Sequence, residues 1–425
     1  MNQFLNRGKS STFAQAVFLP LRRLLLAGLI PVLLFWLSCS STALAQTQEQ
    51  ELLAETWRIV NRAYIDDSFN HQNWWFVRKK VLRQPLETRE ATYDAIDAML
   101  ASLNDPFTRL LRPDKYRSLK VSTSGELTGV GLQIALDPDT GDLTVVSPID
   151  GSPAAEANIQ PRDRILKING LSTADLGLEE AALQMRGPSG TDITLTIQHF
   201  EGKTTEDIQL IRAKITLSSV WSNLRQADQV PLGYIRLSQF SANTSEEIAE
   251  AILDLERQGA KGFILDLRNN PGGLLQSGIE VARLWLDAGT VVYTVDRQRV
   301  LGSFEAIGSA LTQAPLVVLV NQGTASASEI LAGALQENGR AQLVGEKTFG
   351  KGLIQSLFDL SDGSGLAVTV AKYETPEHHD INKLGITPDQ VVPTPRLTRI
   401  QVGSEDDTQY QAAVELLKGQ IAAEA

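Results

Sequence analysis

From Glu51 to about Lys120 apolar residues recur at helical spacing. Leu53, Trp57, Val60 and Tyr64 stand at i, i+4, i+7 and i+11, and Tyr93, Ile96, Leu100 and Leu103 repeat the pattern. Both rows predict helix faces packed into a core, and the adjacent Trp74 and Trp75 read the same way in preference to a binding surface. Between about Val121 and Ala213 the period shortens. Leu143-Thr144-Val145-Val146 and Ile193-Thr194-Leu195-Thr196-Ile197 alternate between Asp-Pro, Thr-Gly-Asp and Gly-Ser-Pro turns, which predicts a small β-rich module. After Ala213 the text becomes α/β. Tyr234 to Leu237 is a strand; Thr244-Ser245-Glu246-Glu247 has capping-box spacing and opens a helix with Ile248, Ile252 and Leu255 on one face. Gly262 to Leu267 and Leu316 to Val320 are nearly unbroken apolar runs, as strands covered on both faces require. The first leads through Asn269-Asn270-Pro271-Gly272-Gly273 into a helix, the second through Asn321 to Ala325 into a helix from Glu329 to Glu337. Strand, turn and helix in repetition predict a layered α/β core whose functional groups gather at strand ends. Tyr410, Val414 and Leu417 predict a peripheral C-terminal helix packing on that core. The fold class is thus a multidomain α/β (α+β) chain: a helical N-terminal domain over 46–120, an inserted β-rich module over 121–213, the core over 214–402 and the C-terminal helix over 403–425.

Within the β-rich module, Gly129-Val130-Gly131-Leu132 leads into a strand, Pro153-Ala154-Ala155 opens a short helix, and Asp163 to Gly170 supplies a strand and turn. Together these resemble a PDZ domain. The resemblance implies that backbone N–H groups of the loop Gly129, Val130, Gly131 and Leu132 hold a peptide's terminal carboxylate while the peptide adds a strand to the sheet edge. The usual Pro-Gly-Asp turn reads Pro161-Arg162-Asp163 here, which leaves Arg162 unexplained. A β module without a ligand is the other reading, because glycine loops occur at many turns.

The 425 residues, 43% apolar and 21% charged, suit two or three packed domains and exclude a lone binding module. A formal charge of −11 speaks against a nucleic-acid footprint, which needs a basic face, and leaves a protein partner open. Residues 1–45 carry Arg7, Lys9, Arg22 and Arg23, then an apolar run from Leu24 to Leu37 broken by Pro31, then Ala43-Leu44-Ala45. That order predicts a signal peptide cleaved after Ala45, too short for a permanent membrane span, and therefore an exported protein with no span after its removal. Removal takes four of the 39 basic residues and none of the 50 acidic ones, so the charge falls from −11 to −15. It also takes the only cysteine, Cys39, for which lipid modification is the less favoured alternative. The mature chain then has neither thiol nucleophile nor disulfide.

His71, His199, His378 and His379 are scattered, and no zinc-type His or Cys set appears, so no metal and no cofactor is expected. A Gly-x-Ser-x-Gly elbow is absent. Gly345 to Gly352 satisfies the glycine and lysine positions of a phosphate-binding loop, yet Gly352 stands where a Ser or Thr must hold Mg²⁺, and Leu353 to Phe358 looks extended where a helix is needed. Lys351, between glycines and close to Phe349, Leu353 and Ile354, could instead be buried; desolvation would favour its neutral amine, a base able to take a serine proton without histidine. The candidate serine is Ser326, at a strand-to-helix turn where first-turn N–H groups suit an anion. Taken singly, Ser326 reads as a helix-start residue and Lys351 as a loop charge.

The pair together, with Asp266 to Gly273, Thr324 to Ile330 and Thr348 to Gln355 in order, resembles the carboxyl-terminal processing peptidase family, also called tail-specific proteases. The resemblance covers nearly the whole mature chain. It implies Ser326 as nucleophile, Lys351 as general base, Gln355 as the side chain holding the lysine, and Gly272 with Ala327 as oxyanion donors; Ser328 falls to a helix-start role. Thr375-Pro376-Glu377-His378-His379, the Trp74-Trp75 region and Asn104 to Arg109 look like the plant and cyanobacterial branch, which trims the precursor of a photosystem II reaction-centre protein in the thylakoid lumen. His378 and His379 lie outside the dyad, as structural or substrate-facing groups. The expected partner is thus a protein substrate with a free C-terminal tail, met in the thylakoid lumen or the periplasm; the oligomeric state is left open. A non-catalytic PDZ adaptor that binds tails in the same compartment is the rival reading.

Overall fold

The computed structural model describes residues 48–138, 140–174, 176–200, 204–296, 300–393 and 401–424. The signal segment and Cys39 lie outside them. The chain divides into two compact units, one formed by the described part of residues 1–113 with 355–369, the other by 114–354 with the described part of 370–425.

In the first unit the helices 48–63, Trp74–Val81 and Arg89–Ala101 bury the two apolar rows read from the sequence: Leu53, Val60 and Ile96 are fully buried and Trp57, Tyr93 and Leu100 nearly so. Thr88 caps the third helix by accepting the Ala91 N–H at 3.2 Å. Of the tryptophan pair only Trp74 packs inward; Trp75 is 63% exposed, because consecutive positions on a helix point about 100° apart. The short strand Arg109–Leu111 pairs with Gly365 to Ala367.

The second unit holds the β-rich module and the core. In the module a six-stranded antiparallel sheet runs in the order Leu132–Leu136, Leu143–Pro148, Arg164–Ile168, Asp192–Gln198, Thr205–Ile211, with Leu171–Ser172 attached to the third. Ile165, Ile168, Ile193, Leu195 and Ile197 fill its inner face with Ala181 and Met185 of the helix Leu178–Met185. Leu132–Leu136 is the sheet edge. Arg162 is explained by its backbone: φ is +75°, the left-handed geometry a glycine would take, and its guanidinium lies 4.5 Å over the Phe200 ring. Glu126–Gly129 and Ala213–Thr216 pair as a two-stranded ribbon where the chain enters and leaves.

The core is a second six-stranded sheet in the order Val220–Ala227, Val230–Leu237, Phe263–Asp266, Leu316–Val320, Gln342–Gly345, Gln390–Val391; the first pair is antiparallel and the rest parallel. Alternate residues serve opposite faces. Ile235, Leu265, Val318 and Leu343 pack with Ile252, Ile279 and Leu331 of the helices Thr244–Arg257, Leu275–Arg283 and Ala327–Glu337. Tyr234, Ile264, Val317 and Val344 pack with Tyr410, Ala413, Val414 and Leu417 of the helix Thr408–Glu424. That last helix forms a wall of the core. Its anchor is a buried network: Arg268 makes paired bonds to Asp266 (2.9 and 2.6 Å) and to Asp407 (2.9 and 2.8 Å), and Tyr234 donates to Asp266 at 2.6 Å. Burial alone would lower the Arg268 pKa, but the two carboxylates hold it above its ordinary value; burial likewise would raise Asp407, and Arg268 with two backbone N–H groups lowers it.

Candidate active site

Three turns leave the C-terminal ends of three neighbouring parallel strands: Leu267 to Gly273, Asn321 to Ser326, and Glu346 to Gly352. This is the position where parallel sheets present functional groups. The first two turns are laced together by side chains. Asn321 accepts the Asn269 N–H at 2.9 Å and donates back to Asn269 at 3.0 Å, while Thr324 Oγ1 donates to the Leu267 carbonyl at 2.9 Å.

Ser326 sits at the start of the helix Ala327–Glu337 with φ +59° and ψ −119°, a strained conformation for a residue with a side chain. It is half-buried, as is Lys351. Phe349, expected among the residues that shield the lysine, is 58% exposed. What brings the serine and lysine segments together is Glu329, a fully buried residue whose role the sequence reading missed. Its Oε2 accepts the backbone N–H of Ser326 at 2.9 Å and of Lys351 at 2.8 Å; its Oε1 accepts Thr348 Oγ1 at 2.6 Å and the Gly350 N–H at 2.7 Å. A partial signal existed, since Ser326 and Glu329 have capping-box spacing.

Tyr373, also missed, is nearly buried in the strand Gly365–Glu374. Its N–H donates to the Gly352 carbonyl at 3.1 Å and its hydroxyl to the Lys351 carbonyl. Burial, reinforced by the Glu329 charge, pushes the phenol well above its ordinary value, and a hydrogen bond from the Ser326 hydroxyl offsets part of the rise.

Gly272 lies against the serine turn: a Cβ there would stand 2.6 Å from the Ala325 carbonyl and 2.8 Å from Ser326 Cβ, and its φ is +93°. Its N–H donates to Asn270 Oδ1 at 2.9 Å, so in this conformation it is engaged within its own turn. The Ala327 N–H, at the first helical position, has no acceptor among the described residues. Ser328, the competing serine, is fully buried and its hydroxyl donates to the Asn270 carbonyl at 3.1 Å, which leaves it no route to a substrate. Gln355 is half-buried in the strand Leu353–Asp359, the first residue of the 355–369 stretch. A strand rather than a helix thus follows Lys351, unlike a phosphate-binding loop.

In the module, Gly131 has φ +79°, and a Cβ there would meet Ser152 Cβ at 2.2 Å; Ile149 and Ser152 both donate to its carbonyl. Val130 is core, and Gly129 pairs with Ala213 in the ribbon. Leu132 begins the edge strand. His378 stacks on Tyr293 at 4.1 Å and pairs with Glu374. His379 pairs with Glu337 at 2.9 Å, which raises its pKa, and with Glu377 forms the one group among the described residues able to gather three metal-ligating atoms within 4.8 Å. Glu337 ends the helix that Ser326 opens, so this group stands apart from the serine turn.

Residues 231–392 match peptidase family S41 and residues 118–198 match the PDZ domain. The carboxyl-terminal-processing protease of Picosynechococcus sp. is 58% identical over 93% of this chain and 97% of its own length. Carboxyl-terminal-processing peptidase 2, chloroplastic, of Arabidopsis thaliana is 47% identical over 82% of this chain and 69% of its own. Among solved structures, a photosystem II D1 C-terminal processing protease is 42% identical, with a TM-score of 0.53 over 81% of this chain and 93% of that one. The chain belongs to the carboxyl-terminal-processing protease family, with the family S41 peptidase domain joined to a PDZ domain.

Proposed function

We propose that this peptidase is of the serine type, with Ser326 as nucleophile and Lys351 as general base. The observation that carries the reading is the shared carboxylate oxygen of Glu329, which brings the backbones of the two residues within two hydrogen-bond lengths of each other. Ser326 Oγ attacks the scissile carbonyl carbon as Lys351 Nζ takes its proton. The oxyanion is met by the Ala327 N–H and, once its bond to Asn270 opens, by the Gly272 N–H. Lys351 returns the proton to the leaving amine as the C–N bond breaks, and water then releases the acyl group as a carboxylate. Gln355 holds the lysine. The whole scheme needs no metal and no cofactor.

The substrate is a protein with a free C-terminal tail. Its carboxylate is held at Gly129, Val130, Gly131 and Leu132, and the tail pairs with the edge strand Leu132–Leu136. Cleavage upstream removes a C-terminal extension, and the names of the relatives support a photosystem II reaction-centre precursor as the target. Residues 1–45 export the chain to the thylakoid lumen or periplasm, and the domains divide at 46–120, 121–213, 214–402 and 403–425.

Incubating the enzyme and Ser326→Ala with a peptide bearing a free C-terminal carboxylate, followed by mass spectrometry, tests this. Cleavage by wild type alone is expected. Capture of the tail by both proteins without cleavage would replace the peptidase with a tail-binding adaptor.

A further inference from the structure

The helix Trp74–Val81 and the turn after it carry Arg78, Lys79, Lys80 and Arg83 with no acidic residue, in a chain whose overall charge is −11. The inner side of this helix is fixed. Trp74 stacks on Phe69 at 5.2 Å, its carbonyl accepts the Trp57 indole N–H at 3.0 Å, and Val81 is buried. The outer side therefore cannot turn inward. Trp75 and Phe76 stand 63% and 68% exposed, and Trp75 is held at a ring distance of 4.6 Å from Trp57. Trp75, Lys79 and Arg83 follow at i, i+4 and i+8, with Phe76 and Lys80 as the adjacent row, so the aromatics and cations share one surface. Among the described residues no ion pair involves Lys79, Lys80 or Arg83. Between them lies a groove of about 510 Å³ with Trp75, Phe76 and Leu82 on its walls and Lys79 and Arg83 beside them.

Two exposed aromatics rimmed by unpaired cations match the chemistry of a bilayer interface, where amphipathic rings sit among headgroups and cations meet anionic lipid. We infer that this face is a peripheral docking surface for an anionic membrane, with Trp75 and Phe76 entering the headgroup layer and Lys79, Lys80 and Arg83 facing lipid phosphates. The charge complementarity is local: the rest of the chain is acidic and would be repelled, so this patch also sets which side faces the bilayer. The inference is independent of the proposed dyad.

Co-sedimentation of the chain lacking residues 1–45 with phospholipid vesicles tests it. Binding is expected to equal parts phosphatidylglycerol and phosphatidylcholine, not to phosphatidylcholine alone, and to weaken as salt screens the charges. Lys79→Gln with Lys80→Gln should lower the partition coefficient by about fivefold per cation removed. Trp75→Ser with Phe76→Ser should abolish binding and the blue shift of tryptophan fluorescence that accompanies it. Both variants alter exposed side chains, and an unchanged circular dichroism spectrum checks the fold; Lys167→Gln with Lys261→Gln, equally exposed and elsewhere, should bind as wild type. Equal binding by all variants, or no binding to either vesicle, overturns the inference, and retention on immobilised polyglutamate without vesicle binding assigns the surface to an acidic protein instead.

Discussion

Ser326 and Lys351 direct their backbone N–H groups at a single atom, Oε2 of Glu329, from 2.9 and 2.8 Å. The parallel pairing of Leu316–Val320 with Gln342–Gly345 already starts their two turns side by side. Glu329 fixes the far ends of those turns as well. A buried carboxylate is costly unless satisfied, and here four donors converge on it.

Glu329→Gln tests how much that convergence matters. The amide oxygen can accept as before, but its NH₂ confronts donors, so one side of the cluster must open. Loss of about 2 kcal/mol in unfolding free energy is expected. A displacement of about 1 Å between serine and lysine would lower kcat about a hundredfold with little change in KM. Peptide cleavage kinetics alongside denaturant unfolding measure both; wild-type kcat in the variant would show that the turns align without the carboxylate.

Tyr373→Phe removes a hydroxyl that donates to the Lys351 carbonyl. The expected cost is about 1 kcal/mol of stability and about tenfold in kcat, with KM unchanged. Because burial keeps the phenol protonated well above its ordinary range, the alkaline limb of the pH–rate profile should be the same in both enzymes. A shift of that limb in the variant would mean the phenol itself titrates during turnover.

The strands and the serine turn were legible because their signals are local. Apolar runs such as Leu316 to Val320 announce a strand covered on both faces, and Ser326 ends the short turn that follows this one. Trp75 misled because helical spacing identifies one inward face, and adjacent residues cannot share it. The C-terminal helix was legible in Tyr410, Val414 and Leu417, but its partner face, Tyr234, Ile264 and Val317, was not, being written in alternating positions of distant strands. Glu329 and Tyr373 were missed for a related reason. Their partners Lys351 and Gly350 lie about twenty positions away, and no periodicity records a hydrogen bond between loops.

Gly272→Ala places a methyl 2.6 Å from the Ala325 carbonyl at a φ of +93°, so the serine turn must shift. Loss of at least a hundredfold in kcat and about 1–3 kcal/mol of stability is expected. Gly141→Ala is the control: its φ is +75° and nothing lies within 4 Å of the new methyl, so it carries the backbone cost of about 1 kcal/mol without the collision and should leave kcat unchanged. Equal effects at both positions would assign the damage to backbone strain alone.

Asp407→Asn tests the anchor of the C-terminal helix. With Asp407 neutralised, Arg268 remains buried beside Asp266 alone, and breaking such a buried pairing typically costs about 3–5 kcal/mol. The sign with pH follows from the lowered Asp407 pKa. A carboxyl depressed on folding contributes stability that is complete above its ordinary value of 3.8 and is lost as pH falls through the lower folded value. Wild type should therefore exceed the variant by its full margin at neutral pH and converge toward it in strong acid, provided both still fold there in stabilising osmolyte. Urea unfolding followed across that range reads the margin directly, and a gap that stays constant into acid would show that Asp407 acts through shape and not through charge.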